Sequence, residues 1–206
     1  MMTRDFTLAE AAEYAFREDE DIVGLRFSGD SLEEFRASRL EFRNCVFEKC
    51  LFFDCRIERA SFSDCAFSGC DLTGMPLSEA FFGHCAFDAS RLSGADFSES
   101  TLQDCSFSDC VLASANLNRA KITRTEFKSC DFSDAYLSGL RLNKPGFAGC
   151  RFPRAVLART PLNGVDLTSC DIGGITVMAE DLKGVIVTGL QAMDLARVMG
   201  VVIHDF

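Results

Sequence analysis

EFRNC VFEKC LFFDC RIERA, residues 41–60, is four blocks of five, each with a large apolar residue second and a small residue last. Extended outward, the pattern keeps its register without an insertion. From Phe42 to Val187 every fifth position is apolar: 30 positions held by 13 Phe, 12 Leu, 3 Ile and 2 Val. A period of five fits neither the 3.6-residue helix nor the two-residue strand. Each unit must therefore be a short extended piece followed by a corner, and one unit alone cannot bury its apolar residue. Only stacking can, so the chain is predicted to be a solenoid.

The residue two before each centre is usually small. From residue 45 to 185 it is Cys 11 times, Ala 7 times, and Ser or Thr 4 times in 29 positions. Two residues per unit then point inward and three outward. In this the sequence resembles the pentapeptide-repeat family, whose A-[DN]-L-x-x units stand nearly verbatim at Ala95 to Glu99, Ala115 to Arg119 and Val165 to Ser169. The resemblance implies an all-β fold, a right-handed quadrilateral β-helix with four units per coil. The sequence allows a check of the number four. With 20 residues per coil, Phe47, Phe67, Phe87, Phe107, Phe127 and Phe147 stack into a ladder on one face. The cysteines sort as Cys45, Cys65, Cys85, Cys105 on one face and Cys50, Cys70, Cys110, Cys130, Cys150, Cys170 on the next, leaving Cys55 apart.

All eleven cysteines occupy the small inward position, which a free thiol fills as a compact apolar residue. No C-x-x-C pair occurs, so neither a disulfide framework nor a metal cluster is expected. The chain opens MMTRDF without a charged leader and apolar run, and no stretch of 18 apolar residues occurs. The expectation is a reduced, cytoplasmic protein without a membrane anchor. No phosphate-binding loop, dinucleotide fingerprint or metalloprotease motif is present. His84 and His204 are isolated. Glycines at 69, 74, 94, 139, 149, 164, 174 and 184 fall two after a centre, where a corner needs a permissive backbone. The expectation is a non-enzyme without cofactor or metal.

The division predicted is a capping segment over 1–21, the repeat over 22–187 with an irregular first coil at 22–41, and a C-terminal segment over 188–206. Thr7 and Glu10 have capping-box spacing, and Leu8, Ala11, Ala12, Ala15 and Phe16 form the apolar stripe of a lid helix. The first coil keeps Ile22, Phe27 and Leu32 in register but has Ala37 at a centre and Phe35 at a small position. After Val187, Leu190, Met193, Leu195, Val198 and Met199 suit one face of a short helix. Gly200 ends it, and Val201 to Ile203 read as a terminal strand. This segment is similar to the C-terminus of bacterial quinolone-resistance pentapeptide-repeat proteins, with Gln191, Ala192, Leu195, Gly200, Val201 and Ile203 carrying the likeness. The resemblance implies a homodimer joined end to end.

Net charge is −10, which disfavours direct nucleic-acid binding. The resemblance implies instead an acidic rod imitating DNA in the site of gyrase or topoisomerase IV. Asp64, Glu79, Glu99 and Asp104 are the candidate acidic face. The distribution is uneven: residues 54–109 hold 10 acids and 3 bases, residues 110–160 hold 3 acids and 9 bases. Stacking by 20 gathers Arg119, Lys121, Arg124, Arg141, Lys144 and Arg159 into a candidate basic patch. The preferred expectation is a rigid interaction scaffold, with the DNA mimic as the alternative. Outward Leu51, Phe53 and Phe81 form a candidate apolar contact patch.

Overall fold

A computed structural model describes residues 6–204. The outermost residues of the expected terminal segments, 1–5 and 205–206, lie outside them. The chain winds as a four-faced β-solenoid whose coils each take 20 residues. Ile22 pairs with Phe42, Phe27 with Phe47, Leu32 with Phe52 and Ala37 with Ile57, all parallel. The register persists to the bridge between Asp166 and Ile186. Two faces carry seven-stranded parallel sheets. The first runs from Ile22–Val23 and Glu41–Arg43 to Arg141–Asn143, the second from Arg26–Ser28 to Gly146–Ala148. On the third and fourth faces the strands Ser31–Glu33, Leu51–Phe53, Arg36–Ser38 and Arg56–Glu58 give way to single bridges between tight turns.

The corners make this winding possible. From Gly24 to Gly164 the residue two after each centre is left-handed, with φ of 51° at Asn44 and 60° at Arg154. That conformation costs a non-glycine residue about 1–2 kcal/mol. Most corners also donate their N–H to the next coil, as Asn44 does to the Ser63 carbonyl at 2.9 Å, which helps hold them there. The inward residues fill the rod completely. Phe27, Phe47, Phe67, Phe87, Phe107, Phe127 and Phe147 stack with ring centroids 4.5–5.3 Å apart. Inside the second half, a void bounded by Leu117, Phe127 and Leu157 among others measures about 20 Å³, too little for a ligand.

All eleven cysteines are free and buried. Each thiol donates to a carbonyl of the preceding coil, as Cys55 does to Leu32 O at 2.9 Å, and all but Cys170 also to one of their own coil. Ser90 stands in the one gap of the longer cysteine column and accepts the Cys70 N–H at 3.1 Å. Burial pushes the Cys55 thiol up. In the columns the neighbouring thiol and then burial raise Cys45, Cys85 and Cys130.

Helix α1, Leu8–Glu18, covers the first coil with Leu8, Ala11, Ala12 and Ala15 buried. Its capping box is formed: Glu10 N–H donates to Thr7 Oγ1 at 3.3 Å, and Thr7 N–H to Glu10 Oε2 at 3.0 Å. Phe16 departs from the expected stripe and is half-exposed, edge-on to Phe35 at 6.3 Å. The first coil is not irregular in its backbone, which pairs with the second on all four faces. The lid relaxes only the side-chain rule, leaving Phe35 and Ala37 half-buried.

Helix α2, Gly189–Val198, follows the last coil under a second capping box, Thr188 with Gln191. The buried Gln191 amide donates to Leu167 O at 2.7 Å and Cys170 O at 2.8 Å, pinning the helix to the rod. Gly200, with φ of 84°, ends it as expected. The terminal strand does not form: Val201 to His204 take no pairing, because α2 turns the chain away from the last coil's edge.

Candidate functional site

The predicted acidic and basic residues belong to one face. Glu79 and Glu99 stand at the corner before the strands Phe81–Gly83 and Thr101–Gln103, while Asp64 and Asp104 stand at the corner after Ser61–Ser63 and Thr101–Gln103. Arg119 and Arg159 continue the first corner, Arg124 and Lys144 the second, and Lys121 and Arg141 open the two strands between them. The first face therefore runs from acidic to basic along the rod.

The acidic half is not a free field. Glu79 accepts Arg59 Nε at 3.2 Å, Glu99 accepts Arg119 Nη1 at 3.2 Å, and Asp104 takes both prongs of Arg124. The Arg124 guanidinium holds the Asp104 carboxyl below the usual carboxylate range. Asp64 and Asp104 do not touch, since His84 occupies the corner between them. Only Asp64 of the four makes no ion pair among the described residues. In the basic half, Lys121, Arg141, Lys144 and Arg159 make none either.

The apolar candidates separate. Leu51 and Phe53 are exposed on the third face, and Phe81 lies on the first, its ring across Gly83, where an added Cβ would fall 2.9 Å from the ring. They do not form one patch. At the C-terminal end, Leu195 is buried and Met193 and Ile203 are half-buried, whereas Leu190, Val198, Met199 and Val201 are exposed.

Sequence reading missed one site. Among the described residues no backbone hydrogen bond joins 53–59 to 72–80, although the levels on either side are bonded, Arg39 N–H to Glu58 O and Asp96 N–H to Met75 O. Pro76 has no N–H to offer Cys55 O, and here strand Arg56–Glu58 meets the first tight turn, Met75 N–H to Leu72 O. An open cleft of about 1150 Å³ lies along this fourth face, reaching from the end of α1 to Asp96, with Cys55, Met75 and Pro76 among its lining residues. Pro76, at the first strand position of its unit, was the available signal.

Among the described residues no group of three His, Cys, Asp or Glu is disposed to hold a metal ion, and no helix is long and apolar enough to cross a membrane. Comparison with known families agrees with the repeat geometry. A pentapeptide repeat region model matches residues 60–129, and a model of eight pentapeptide repeats matches 38–74 and 130–174. The chain belongs to the pentapeptide-repeat family. No curated protein matches it by sequence. Solved pentapeptide-repeat structures resemble it at low identity. HetL from the cyanobacterium Nostoc, involved in heterocyst differentiation regulation, is 14% identical, covering 88% of this chain and 94% of its own at a TM-score of 0.40. Full-length QnrB1, a plasmid-mediated fluoroquinolone resistance protein, is 18% identical, covering 88% and 100% at 0.32. Neither likeness bears on the partner of this pentapeptide-repeat chain.

Proposed function

We propose that this chain is a rigid, non-catalytic interaction scaffold that pairs with a second copy through its C-terminal end. The carrying observation is how its surface is divided. The interior is filled by the repeating core, so recognition falls to the outer faces and the ends. At the C-terminal end a firmly anchored helix still turns Leu190, Val198 and Met199 outward, and Val201 and Val202 follow exposed. Such a contiguous apolar end fits a closed two-fold contact. Its partner would be read by the first face, where charge is segregated along the rod.

The DNA-mimic reading, with gyrase or topoisomerase IV as target, draws less support. Three of its four carboxylates are spent on arginines, and the opposite half of the face would be repelled by a basic groove. The test is recovery of partners from bacterial lysate on immobilised full-length protein, run beside a gyrase supercoiling assay. A specific protein partner without effect on supercoiling is expected. Salt-sensitive inhibition of gyrase would replace the scaffold reading with mimicry.

A further inference from the structure

Six times along the rod, an arginine is matched by a carboxylate 20 residues away, in the adjacent coil. The pairs are Arg59–Glu79, Asp71–Arg91, Glu99–Arg119, Asp104–Arg124, Asp131–Arg151 and Asp134–Arg154. The rule is physical, because residues one coil apart stand about 4.8 Å from each other and like charges in that position destabilise the pairing. Like charges do meet, as Arg36 and Arg56 do in strand register, but there Asp54 and Glu58 compensate them; in the second half of the first face the compensation fails. Lys121 and Arg141 are direct register partners on adjacent strands of the first face, and Lys144 and Arg159 flank them on the two corners. Among the described residues none of these four cations has a carboxylate within 4.0 Å, and from residue 119 to 164 the outward positions of this face carry no acid at all. The nearest acids are engaged elsewhere. Glu126 lies round the corner with its carboxylate over Gly146, and the buried Asp181 accepts the backbone N–H of Arg159.

Four uncompensated cations on a flat, rigid face call for an external counter-charge. We infer that the Lys121, Arg141, Lys144 and Arg159 cluster docks a short acidic peptide segment of a partner protein, an inference resting on the scaffold reading above. Size decides between anionic partners. From Arg119's coil to Arg159's is two coil spacings, about 10 Å, enough for three or four extended residues at roughly 3.3 Å each. A duplex carries a negative charge about every 1.7 Å over a much longer span. It would run on to the Glu79, Glu99 and Asp104 half of the face, on a chain of net charge −10.

Fluorescence anisotropy on the purified full chain at low salt tests this. The probes are a labelled hexapeptide of alternating Glu and Asp, its Gln/Asn counterpart and a labelled 20-base-pair duplex. The variants are Lys121→Gln/Arg141→Gln/Lys144→Gln/Arg159→Gln and, as a control on a distant corner, Lys49→Gln, each checked for an unchanged circular dichroism spectrum. The acidic peptide is expected to bind at least about tenfold more tightly to the native chain and to Lys49→Gln than to the quadruple variant, and to weaken as salt rises. The neutral peptide should not bind. Equal binding to native and quadruple variant, no peptide binding, or preference for the duplex would overturn the inference. If the peptide fails while a lysate partner is still recovered, the scaffold stands with its recognition surface elsewhere; loss of both removes both.

Discussion

Arg124 grips Asp104 in the adjacent coil, Nε to Oδ1 at 2.6 Å and Nη2 to Oδ2 at 2.7 Å. One member of this pair was expected in the acidic face and the other in the basic patch, and they neutralise each other. Because Arg124 lowers the Asp104 carboxyl, the pair's contribution is present above the ordinary aspartate range and fades as pH falls through the lowered value. Asp104→Asn should leave the melting temperature at neutral pH nearly unchanged, since both groups face solvent. It should also flatten part of its decline under acid. An unaltered acid limb measured by thermal melts would mean the pair does not persist in solution.

Phe107 is buried in the middle of the aromatic ladder, 4.5 Å from Phe87 and 4.9 Å from Phe127. Phe107→Ala should cost roughly 3–5 kcal/mol, whereas its half-exposed neighbour Ser108→Ala should cost less than about 0.5 kcal/mol. Urea midpoints would separate them, and similar midpoints would contradict the inward assignment.

The hydroxyls of Thr123 and Thr125 give an internal contrast. Thr125 Oγ1 accepts the Cys105 N–H at 3.3 Å and lies 3.2 Å from Thr123 O, while Thr123 Oγ1 is buried without a partner among the described residues. Replacing a satisfied buried hydroxyl strands its partner, at about 1–3 kcal/mol; replacing an unsatisfied one by an isostere does not. Thr125→Val should therefore destabilise, and Thr123→Val should be neutral or slightly stabilising. The reverse order in denaturant titrations would show that Thr123 is hydrogen-bonded.

At the Pro76 cleft, the N–H groups of Ile57 and Arg59 lack the inter-coil bonds that Leu77 and Glu79 have one level on. Native-state hydrogen exchange should be faster at Ile57 and Arg59 than at Leu77 and Glu79 by at least about a hundredfold. Cys55, which lines the cleft, should react with a thiol reagent well before Cys85. Uniform protection across this level would show that the coils close there in solution.

Assembly is tested at the other end. Leu190 and Val202 are 72% and 77% exposed. The native chain should run near 45 kDa, twice its 22.7 kDa mass, and Leu190→Glu/Val202→Glu should run at the single-chain mass with its fold intact. A monomeric native chain by light scattering would discard the dimer.

What the sequence alone determined was everything inside the rod. The five-residue period, the Phe ladder, the burial of eleven cysteines and the permissive corners all follow from one repeated steric demand, that two residues per unit fit a fixed cross-section; the 20-residue coil came from the family resemblance, and the Phe and Cys columns agree with it. The capping box of Thr7 with Glu10 was legible for the same kind of local reason; that of Thr188 with Gln191, at the same spacing, emerged only in the structure. Tertiary structure decided the outside and the interruptions. Whether Arg124 reaches Asp104 or solvent depends on the neighbours of a long side chain, which no period constrains. The opening at Pro76 depends on strand and turn meeting one coil apart. The last residues were read as a strand from their β-branched side chains, yet Val201 to His204 stay unpaired, since a strand needs an edge in reach and Gln191 ties α2 where none is offered.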